Sequence, residues 1–321
     1  MSIKTLTHPE YFQGKHKKNN YFEGWYYKFV SQDEKDTLAF IPGVSINSDD
    51  QHAFIQVFIS HHDNDNVQLK THYFRFAFED FSFNEEDFWV KIGPNTFSNQ
   101  SIEVNLNEKD FVINGSLKML QLSPIQKSLL SPNIMGIFGY LGFMECYHGI
   151  VSMSHQLEGS LNVNQNEIIF QGGKGYIEKD WGKSFPDAYV WLQSNHFDDS
   201  KTSFMFSYAN IPFLGLHFKG LIANLIFNDK EYRFATYNRT KVIKESIAEG
   251  IVIYHLKKGK YILEVEAHSD ENIDLVSPRN GLMIEQIKEG LSGYIKLTLK
   301  YKDHIIYQDT GYHAGIEIMK K

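Results

Sequence analysis

The sequence predicts an all-β protein built as two tandem halves, and three observations lead to this fold class. The 321 residues suit two domains better than one, because single domains most often contain about 100–150 residues. Aromatic residues make up 15% of the chain, and phenylalanine and tyrosine favour strands. Strand-like runs alternate with turns rich in Asp, Asn, Gly and Lys at spacings of about 8–15 residues, which is typical of β-sandwiches and β-barrels.

The strand-like runs extend through both halves of the chain. In the first half they cover residues 24–30, 37–41, 53–60, 71–78, 88–92, 101–107, 111–120 and 147–158. In the second half they cover residues 167–170, 188–196, 202–208, 217–227, 230–238, 251–256, 261–267, 294–301 and 303–308. Helix is scarce. We expect one short helix at residues 125–130, between two prolines, and another at residues 280–290.

A faint internal repeat supports a duplicated domain. Trp25 and Trp191 are 166 positions apart, and so are Phe40 and Phe206. In each copy a strand runs from the tryptophan into an acidic turn that contains a lysine. The offset is about half the chain length, which is where a duplication would place it. We therefore expect two barrel-like domains: residues 1–165 and residues 166–321.

Charge and cysteine content exclude several classes of function. The formal net charge of −7 argues against nucleic acid as a partner, because nucleic-acid-binding proteins need a basic face. The basic cluster at residues 15–18 is interpreted as a solvated arm. Cys146 is the one cysteine, so no internal disulfide can form, which suits a reducing compartment.

The apolar runs of the sequence predict neither a signal peptide nor a membrane-spanning helix. The first thirty residues contain no apolar segment of the kind that a signal peptide requires. The longest apolar run, residues 134–143, is about half of the roughly 20 residues that a spanning helix needs. We therefore expect a soluble, cytoplasmic protein, and a transient, peripheral contact with a membrane surface stays open.

Three segments combine aromatic, charged and glycine residues, and the first covers residues 20–29. At a strand period of two, Glu23 and Trp25 share one face with other aromatic residues, while Tyr26 lies on the opposite face. A carboxylate among aromatic rings is desolvated, which raises its pKa and lets it hold a proton. The alternative is structural: Trp25 plugs the end of a barrel, and Glu23 pairs with a lysine or an arginine.

The second segment covers residues 145–155. Cys146, His148 and Ser152 lie on one strand face, and His155 lies on the opposite face. A structural zinc site needs four ligands, and the chain has no second cysteine. A nucleophilic thiol would need a histidine within reach from another element. We therefore predict no metal site here, and we interpret His148 as an inward residue that hydrogen-bonds a ligand hydroxyl.

The third segment covers residues 172–197. Its glycines do not form a dinucleotide-binding loop, because no strand–helix–strand unit surrounds them. Trp191, Gln193 and Asn195 share one strand face. Buried amides require hydrogen-bond partners, so the two amides either orient the polar head of a ligand or tie neighbouring strands together.

Three motifs taken together resemble the tocopherol cyclase family. They are Tyr-Phe-Glu-Gly-Trp-Tyr at residues 21–26, Gly-Tyr-Ile-Glu-Lys-Asp-Trp-Gly-Lys-Ser-Phe-Pro at residues 175–186 and Trp-Leu-Gln-Ser-Asn at residues 191–195. The second motif is long and specific, and the resemblance covers nearly the whole chain. It implies an all-β fold of two tandem lipocalin-like antiparallel β-barrels that enclose a hydrophobic small molecule. The reaction it implies is acid-catalysed chroman-ring closure, in which a prenylated phenol or quinol adds its hydroxyl across the nearest double bond of its tail.

That reaction gives expected roles to residues of the three segments. The proton donor should be a carboxylic acid that stays neutral until use, and the candidates are Asp180, which is the first choice, Glu178 and Glu23. His148 or Tyr176 would accept the phenolic proton. The expected substrate-binding residues are Trp25, Tyr26, Tyr176, Trp181, Trp191, Gln193 and Asn195. The three tryptophans among them would face the cationic intermediate, and no cofactor and no metal are expected.

Two other functions remain open at this point. The chain could be a non-catalytic binding protein for a lipid or an isoprenoid, with the same cavity. It could also be a structural or interaction protein whose barrels are filled with side chains. A cavity of several hundred Å³ with inward-facing carboxylates would favour a ligand-binding function over a structural one.

Overall fold

Strands dominate the structure, which is a computed structural model that describes residues 3–63, 66–269 and 271–320. Within these ranges, 22 strands form two antiparallel sheets of 12 and 10 strands. Among the described residues, helix is limited to α1 (Ile3–Thr7) and three short 3₁₀ segments, at Phe78–Asp80, Gly136–Tyr140 and Thr236–Asn238. The predicted all-β fold class is therefore confirmed. No helix in the described ranges has the length and apolar composition needed to cross a membrane.

The first sheet contains the strands of the first part of the chain. They are β1 Tyr21–Val30, β2 Asp36–Ile46, β3 His52–Asp63, β4 Asn66–Ala77, β5 Phe81–Phe83, β6 Trp89–Ile92, β7 Asn95–Ser98, β8 Ser101–Glu108, β9 Phe111–Leu120, β10 Cys146–Val163, β11 Asn166–Ile169 and β12 Lys174–Gly182. Their order is β4-β3-β2-β1-β12-β10-β9-β8-β7-β6-β5, and β11 pairs with β10 beside this path. The last long strand, β12, thus lies between β1 and β10.

The second sheet repeats this arrangement. Its strands are β13 Tyr189–Ser194, β14 Ser203–Phe213, β15 Leu216–Phe227, β16 Lys230–Ala235, β17 Lys241–Ala248, β18 Ile251–Lys258, β19 Tyr261–His268, β20 Ile273–Arg279, β21 Leu282–Tyr301 and β22 His304–Met319. Their order is β16-β15-β14-β13-β22-β21-β19-β18-β17, with β20 paired to β21. In each sheet a four-stranded meander is joined through its first strand to the last strand of the sheet. Among the described strands neither sheet closes into a barrel, because each strand order ends at two edge strands.

The topology supports a duplication, although the matched tryptophans are not equivalent. Trp25 is fully buried and packs among the rings of the first core, where it stacks on Phe81 and Phe88. In β13, by contrast, Val190 and Leu192 belong to the core of the second sheet. Trp191 lies between them in sequence, so it points away from that core.

The chain divides into two compact units. The first contains the residues up to Phe185 together with Val276–Gln286, and the second contains Pro186–Leu275 and the residues from Ile287 onward. The expected boundary, between residues 165 and 166, falls at the β10–β11 hairpin of the first unit.

Neither predicted helix is present. Residues 125–130 have no helical backbone; instead Ser128 and Ser131 pair across a tight turn. A six-residue window between prolines is too short to offset the cost of helix nucleation. Residues 280–290 hold a turn and the start of β21. Asn280 and Gly281 have φ angles of 51° and 78°, and an Asn-Gly pair with two positive φ angles is the preferred two-residue hairpin turn.

Candidate active site

Strand β12 separates the predicted site residues onto two faces of the first sheet. Successive strand side chains point to opposite faces, so Glu178 and Asp180 lie on one face, and Lys179 and Trp181 lie on the other. The register fixes their neighbours, because His148 of β10 is directly opposite Asp180. Asp180 and Trp181, which the sequence analysis combined as acid and cation-facing ring, are therefore on different faces.

A cluster of four polar side chains forms on the first of these faces. The Nδ1 atom of His148 lies 2.8 Å from Oδ1 of Asp180, and its Nε2 atom lies 3.3 Å from Oε2 of Glu178. The Tyr176 hydroxyl donates a hydrogen bond to the same Oε2 atom. Tyr26 is opposite Glu178 in the register of β1 and β12, which places it on this face as well. We call His148, Tyr176, Glu178 and Asp180 the histidine cluster.

Exposure differs within the histidine cluster. The side chain of Asp180 is 25% exposed, whereas those of His148 and Glu178 are 13% and 5% exposed. Tyr176 is fully buried. Asp180 is therefore the member of the cluster that a bound molecule reaches most easily.

The two carboxylates keep the histidine protonated. Burial lowers the pKa of His148, but the negative charges of Glu178 and Asp180, together with their hydrogen bonds, raise it, and the net result is a pKa well above its ordinary value. Burial and the neighbouring Glu178 raise the pKa of Tyr176. Near neutral pH the cluster thus contains an imidazolium between two carboxylates and a neutral phenol.

This electrostatic coupling predicts how stability depends on pH. Because folding raises the pKa of His148, the folded state keeps a proton that the unfolded state releases above about pH 6.5. The stabilisation is complete below that pH and is lost as the pH rises through the folded-state pKa. We expect the wild-type protein to exceed His148→Gln in unfolding free energy by more at pH 6 than at pH 9, measured by urea unfolding at each pH. An equal difference at both values would contradict the assignment of a charged His148.

The same residues include a donor set that a metal ion could use. His148, Glu178 and Asp180 each offer one ligand atom, and these atoms lie within 4.8 Å of one another. In the observed geometry, however, each imidazole nitrogen faces a carboxylate oxygen, so a metal ion would have to displace one of these contacts. The arrangement suits a protonated histidine better than a ligated one.

A second polar group, the Glu23–Lys179 pair, lies on the opposite face of β12. Both side chains are fully buried, and the Lys179 ammonium group forms an ion pair with a Glu23 carboxylate oxygen. The backbone N–H of Gln13 donates to both oxygens of Glu23, at 2.9 and 3.0 Å. Lys179 also donates to the backbone carbonyls of Pro9 and Tyr11, at 2.8 and 2.6 Å.

Two tryptophans enclose this pair. The Lys179 Nζ atom lies 4.8 Å from the ring centre of Trp25 and 4.9 Å from that of Trp181, which is within cation–π range. Burial raises the pKa of Glu23 and lowers that of Lys179, and the charge of each partner opposes the shift of the other. Glu23 therefore pairs with a lysine, and Trp25 packs against the ammonium group of that lysine.

The N-terminal segment covers this face of the sheet. The indole N–H of Trp25 donates to the carbonyl of Glu10 at 2.7 Å. Gly149 is required for the close approach, because a Cβ atom at this position would lie 2.2 Å from the side chain of Pro9. Glu23, Trp25 and Trp181 are therefore separated from any molecule that approaches the histidine cluster.

The remaining predicted residues lie in the second unit. Trp191, Gln193 and Asn195 are all buried, at or next to β13. The side chains of Trp191 and Gln193 lie on the sheet face opposite the core, because Val190 and Leu192 occupy the core face. Trp191 is opposite Glu317 of β22, which itself is opposite the fully buried Glu289 of β21.

Several of these groups were not predicted from the sequence. Lys179 was not assigned a role, although its position between Glu178 and Asp180 predicts that it faces the other side of a strand. Glu289 and Glu317 gave no signal, because nothing in their local sequence shows that β21 and β22 place them opposite each other. The Tyr147 ring, which stacks on Trp181 at 5.4 Å between ring centres, was likewise unassigned.

Two surface cavities lie elsewhere in the first unit. One of 570 Å³ is lined by residues that include Tyr11, Phe88 and Trp89, and one of 420 Å³ is lined by residues that include Tyr11 and Phe12. The residues predicted as catalytic or substrate-binding do not line either of them.

Comparison with known proteins identifies the fold and the family. A family model described as tocopherol cyclase-like matches residues 130–319. A search of curated protein sequences gave no match. Among solved structures, an AttH-type protein from Nitrosomonas europaea is 14% identical with a TM-score of 0.53, and the match covers 93% of each chain.

Two further structures are similar over most of this chain. CghA with Sch210972 is 11% identical with a TM-score of 0.55, and kievitone hydratase from Nectria haematococca is 11% identical with a TM-score of 0.50. Each match covers 93% of this chain and 88% of the other. At these identities the likeness establishes a shared fold.

Proposed function

Because the chain belongs to the tocopherol cyclase-like family, we propose that it is an enzyme that closes a ring in a prenylated phenol or quinol by acid catalysis. The observation that carries this proposal is the histidine cluster, in which one imidazole is held between two carboxylates of unequal exposure. The proposal needs a proton donor that meets an apolar substrate, a group that supplies the donor with its proton, and a proton acceptor.

Asp180 is the proposed proton donor. It is the most exposed carboxyl group of the cluster, and its Oδ1 atom contacts His148. In the resting cluster the proton lies on His148. It passes from Nδ1 to Oδ1 of Asp180 and from there to the substrate, which leaves a neutral imidazole beside a carboxylate. Glu178, on the other side of the ring, keeps His148 charged. Asp180 thus donates to the substrate, and His148 supplies the proton that Asp180 transfers.

The proposed reaction is an isomerisation that conserves protons. Asp180 adds a proton to one carbon of the double bond nearest the aromatic ring of the substrate, and positive charge develops on the other carbon. The phenolic oxygen forms a bond to that carbon, and the phenolic proton passes through a carboxylate of the cluster back to His148. The product has the same mass as the substrate, and no co-reactant is consumed.

Other expected features of the protein belong to the same proposal. We assign Trp191, Gln193 and Asn195 to substrate binding, because a tryptophan can face a developing cation and the amides can orient a phenol. Each half would be lipocalin-like and would shelter the apolar tail of the substrate from water, which otherwise traps the cation as an alcohol. The single cysteine, Cys146, suits a reducing compartment such as the cytoplasm.

A direct assay tests the proposed reaction. Incubation of the purified protein with prenylated hydroquinones of different tail lengths should yield an isomer of unchanged mass, detected by chromatography and mass spectrometry. The Asp180→Asn variant should bind the substrate and give no product, because an amide donates no proton to an alkene. If the wild-type protein retains these compounds between about pH 5 and pH 8 without converting them, the non-catalytic binding function is correct and the cyclase function is wrong.

A further inference from the structure

Two leucines occupy the tip of a tight turn in the first unit. Ser128 and Ser131 pair with each other, which places Leu129 and Leu130 at the centre of the turn. These side chains are 89% and 75% exposed. The central positions of turns normally hold Gly, Asn, Asp, Ser or Pro, so two fully projecting leucines are an unusual choice for a surface that faces only water.

The neighbouring loop adds three large apolar side chains. Ile137, Tyr140 and Phe143 are 48%, 51% and 57% exposed. The Tyr140 hydroxyl donates a hydrogen bond to the carbonyl of Leu129 at 2.7 Å, so the loop and the turn lie side by side. We call these five residues, Leu129, Leu130, Ile137, Tyr140 and Phe143, the apolar loop patch.

The backbone beneath the patch satisfies many of its own hydrogen bonds. The N–H of Ser128 donates to the carbonyl of Ser131 at 2.9 Å, and the reverse bond measures 3.0 Å. In the second loop, the N–H of Leu141 donates to the carbonyl of Phe138 at 3.1 Å. A backbone segment can enter an apolar medium at low cost only if its polar groups are paired in this way.

Charge identifies the kind of surface that fits the patch. The 17 residues from Ser128 to Met144 contain no Asp, Glu, Lys or Arg, although such residues make up 22% of the chain. The lysine nearest to this segment in sequence, Lys127, donates to the backbone carbonyl of Thr7. A surface that binds a protein partner normally has a polar rim around an apolar centre. A surface that binds an anionic membrane normally carries a cluster of basic residues. An uncharged, projecting patch matches the electrically neutral surface of a zwitterionic lipid bilayer.

We infer that the apolar loop patch inserts into the interface of a zwitterionic bilayer and docks the protein there. Leu129 and Leu130 enter deepest, and Tyr140 lies at the headgroup level, which tyrosine prefers because one end of its ring is polar. This inference rests on the proposed function in one respect, since a prenylated substrate resides in bilayers and docking brings the enzyme to it. The patch belongs to the first unit, as the histidine cluster does.

Vesicle flotation tests the docking. The wild-type protein should float with phosphatidylcholine vesicles that contain no substrate, and the Leu129→Ser/Leu130→Ser double variant should bind about tenfold less, because two apolar side chains no longer leave water. The matched control is Ile305→Ser/Ile306→Ser. It removes two exposed apolar side chains, 56% and 39% exposed, that follow Lys302, Asp303 and His304 in sequence. The control should float like the wild type.

Each other outcome has a definite meaning. Equal flotation of the wild type and the turn variant, or no flotation of either, overturns the inference. If the turn variant instead changes the oligomeric state in size-exclusion chromatography and leaves flotation unchanged, a second copy of the chain covers the patch and the bilayer assignment is wrong.

Two substrates distinguish a failure of the docking from a failure of the proposed function. If both hold, the turn variant should convert a vesicle-embedded substrate more slowly and a water-soluble, short-tailed substrate at the wild-type rate. Vesicle binding without conversion of either substrate refutes the cyclase function alone. Conversion of the short-tailed substrate without vesicle binding refutes the docking alone.

Discussion

Replacing His148 by glutamine should lower the turnover of a prenylated hydroquinone by about 10²–10⁴-fold, which is the usual contribution of a proton-transfer group. Glutamine has a similar size and no titratable proton, so Asp180 loses the group that supplies the proton it transfers. The steady-state rate of isomer formation measures the effect. Substrate binding, measured by fluorescence titration of the tryptophans, should change little.

His155 provides a matched control for this substitution. It is a buried histidine on the same strand, its Nδ1 atom lies 3.1 Å from the Ser152 hydroxyl, and burial lowers its pKa to about 3, so it is neutral. His155→Gln should keep the wild-type rate, apart from any loss of stability. If His148→Gln retains more than about a tenth of the activity, His148 takes no part in the proton transfer.

The Lys179→Met variant should lose about 3–5 kcal/mol of unfolding free energy, because removal of one partner leaves the other charge buried and unpaired. Glu23 is completely enclosed, so it has no access to water once the ammonium group is gone. The variant also leaves the carbonyls of Pro9 and Tyr11 without their donor. Denaturant unfolding of the full chain, followed by tryptophan fluorescence, measures the change.

The double variant Glu23→Gln/Lys179→Met separates charge from packing. It removes both charges at once, so it should be more stable than Lys179→Met alone, in line with the behaviour of buried ion pairs replaced by uncharged groups. A Lys179→Met variant that unfolds within about 1 kcal/mol of the wild type would show that the ion pair contributes no more than a surface pair.

The sequence predicted the all-β fold class better than it predicted which strands pair. The alternation of polar and aromatic residues identified many of the strands, but it did not predict β12, the strand that carries Glu178 and Asp180. The helix expected at residues 125–130 failed because short apolar windows fit several backbone conformations. The Asn280-Gly281 turn could have been predicted, since this dipeptide is the strongest local hairpin signal.

The site could be predicted only in part, because its contacts arise from strand pairing. The sequence indicated His148, Glu178 and Asp180 separately, but the pairing of β10 with β12 decides that they touch. The same holds for Glu23 and Lys179, which meet because β1 lies on the other side of β12. A β-sheet register depends on interactions along whole strands, and no local pattern contains that information.

The alternation along β12 restricts how this protein can evolve. A residue inserted or deleted between Glu178 and Trp181 would reverse the alternation for the residues on one side of the change. Either an acidic side chain would then point to the buried face, or Lys179 would point away from Glu23. Substitutions at positions 178 and 180 change the histidine cluster and leave the Glu23–Lys179 pair in place. The side chains at positions 179 and 181 are buried and stabilise the fold. One strand therefore carries residues of the proposed site on one face and residues that hold the fold together on the other.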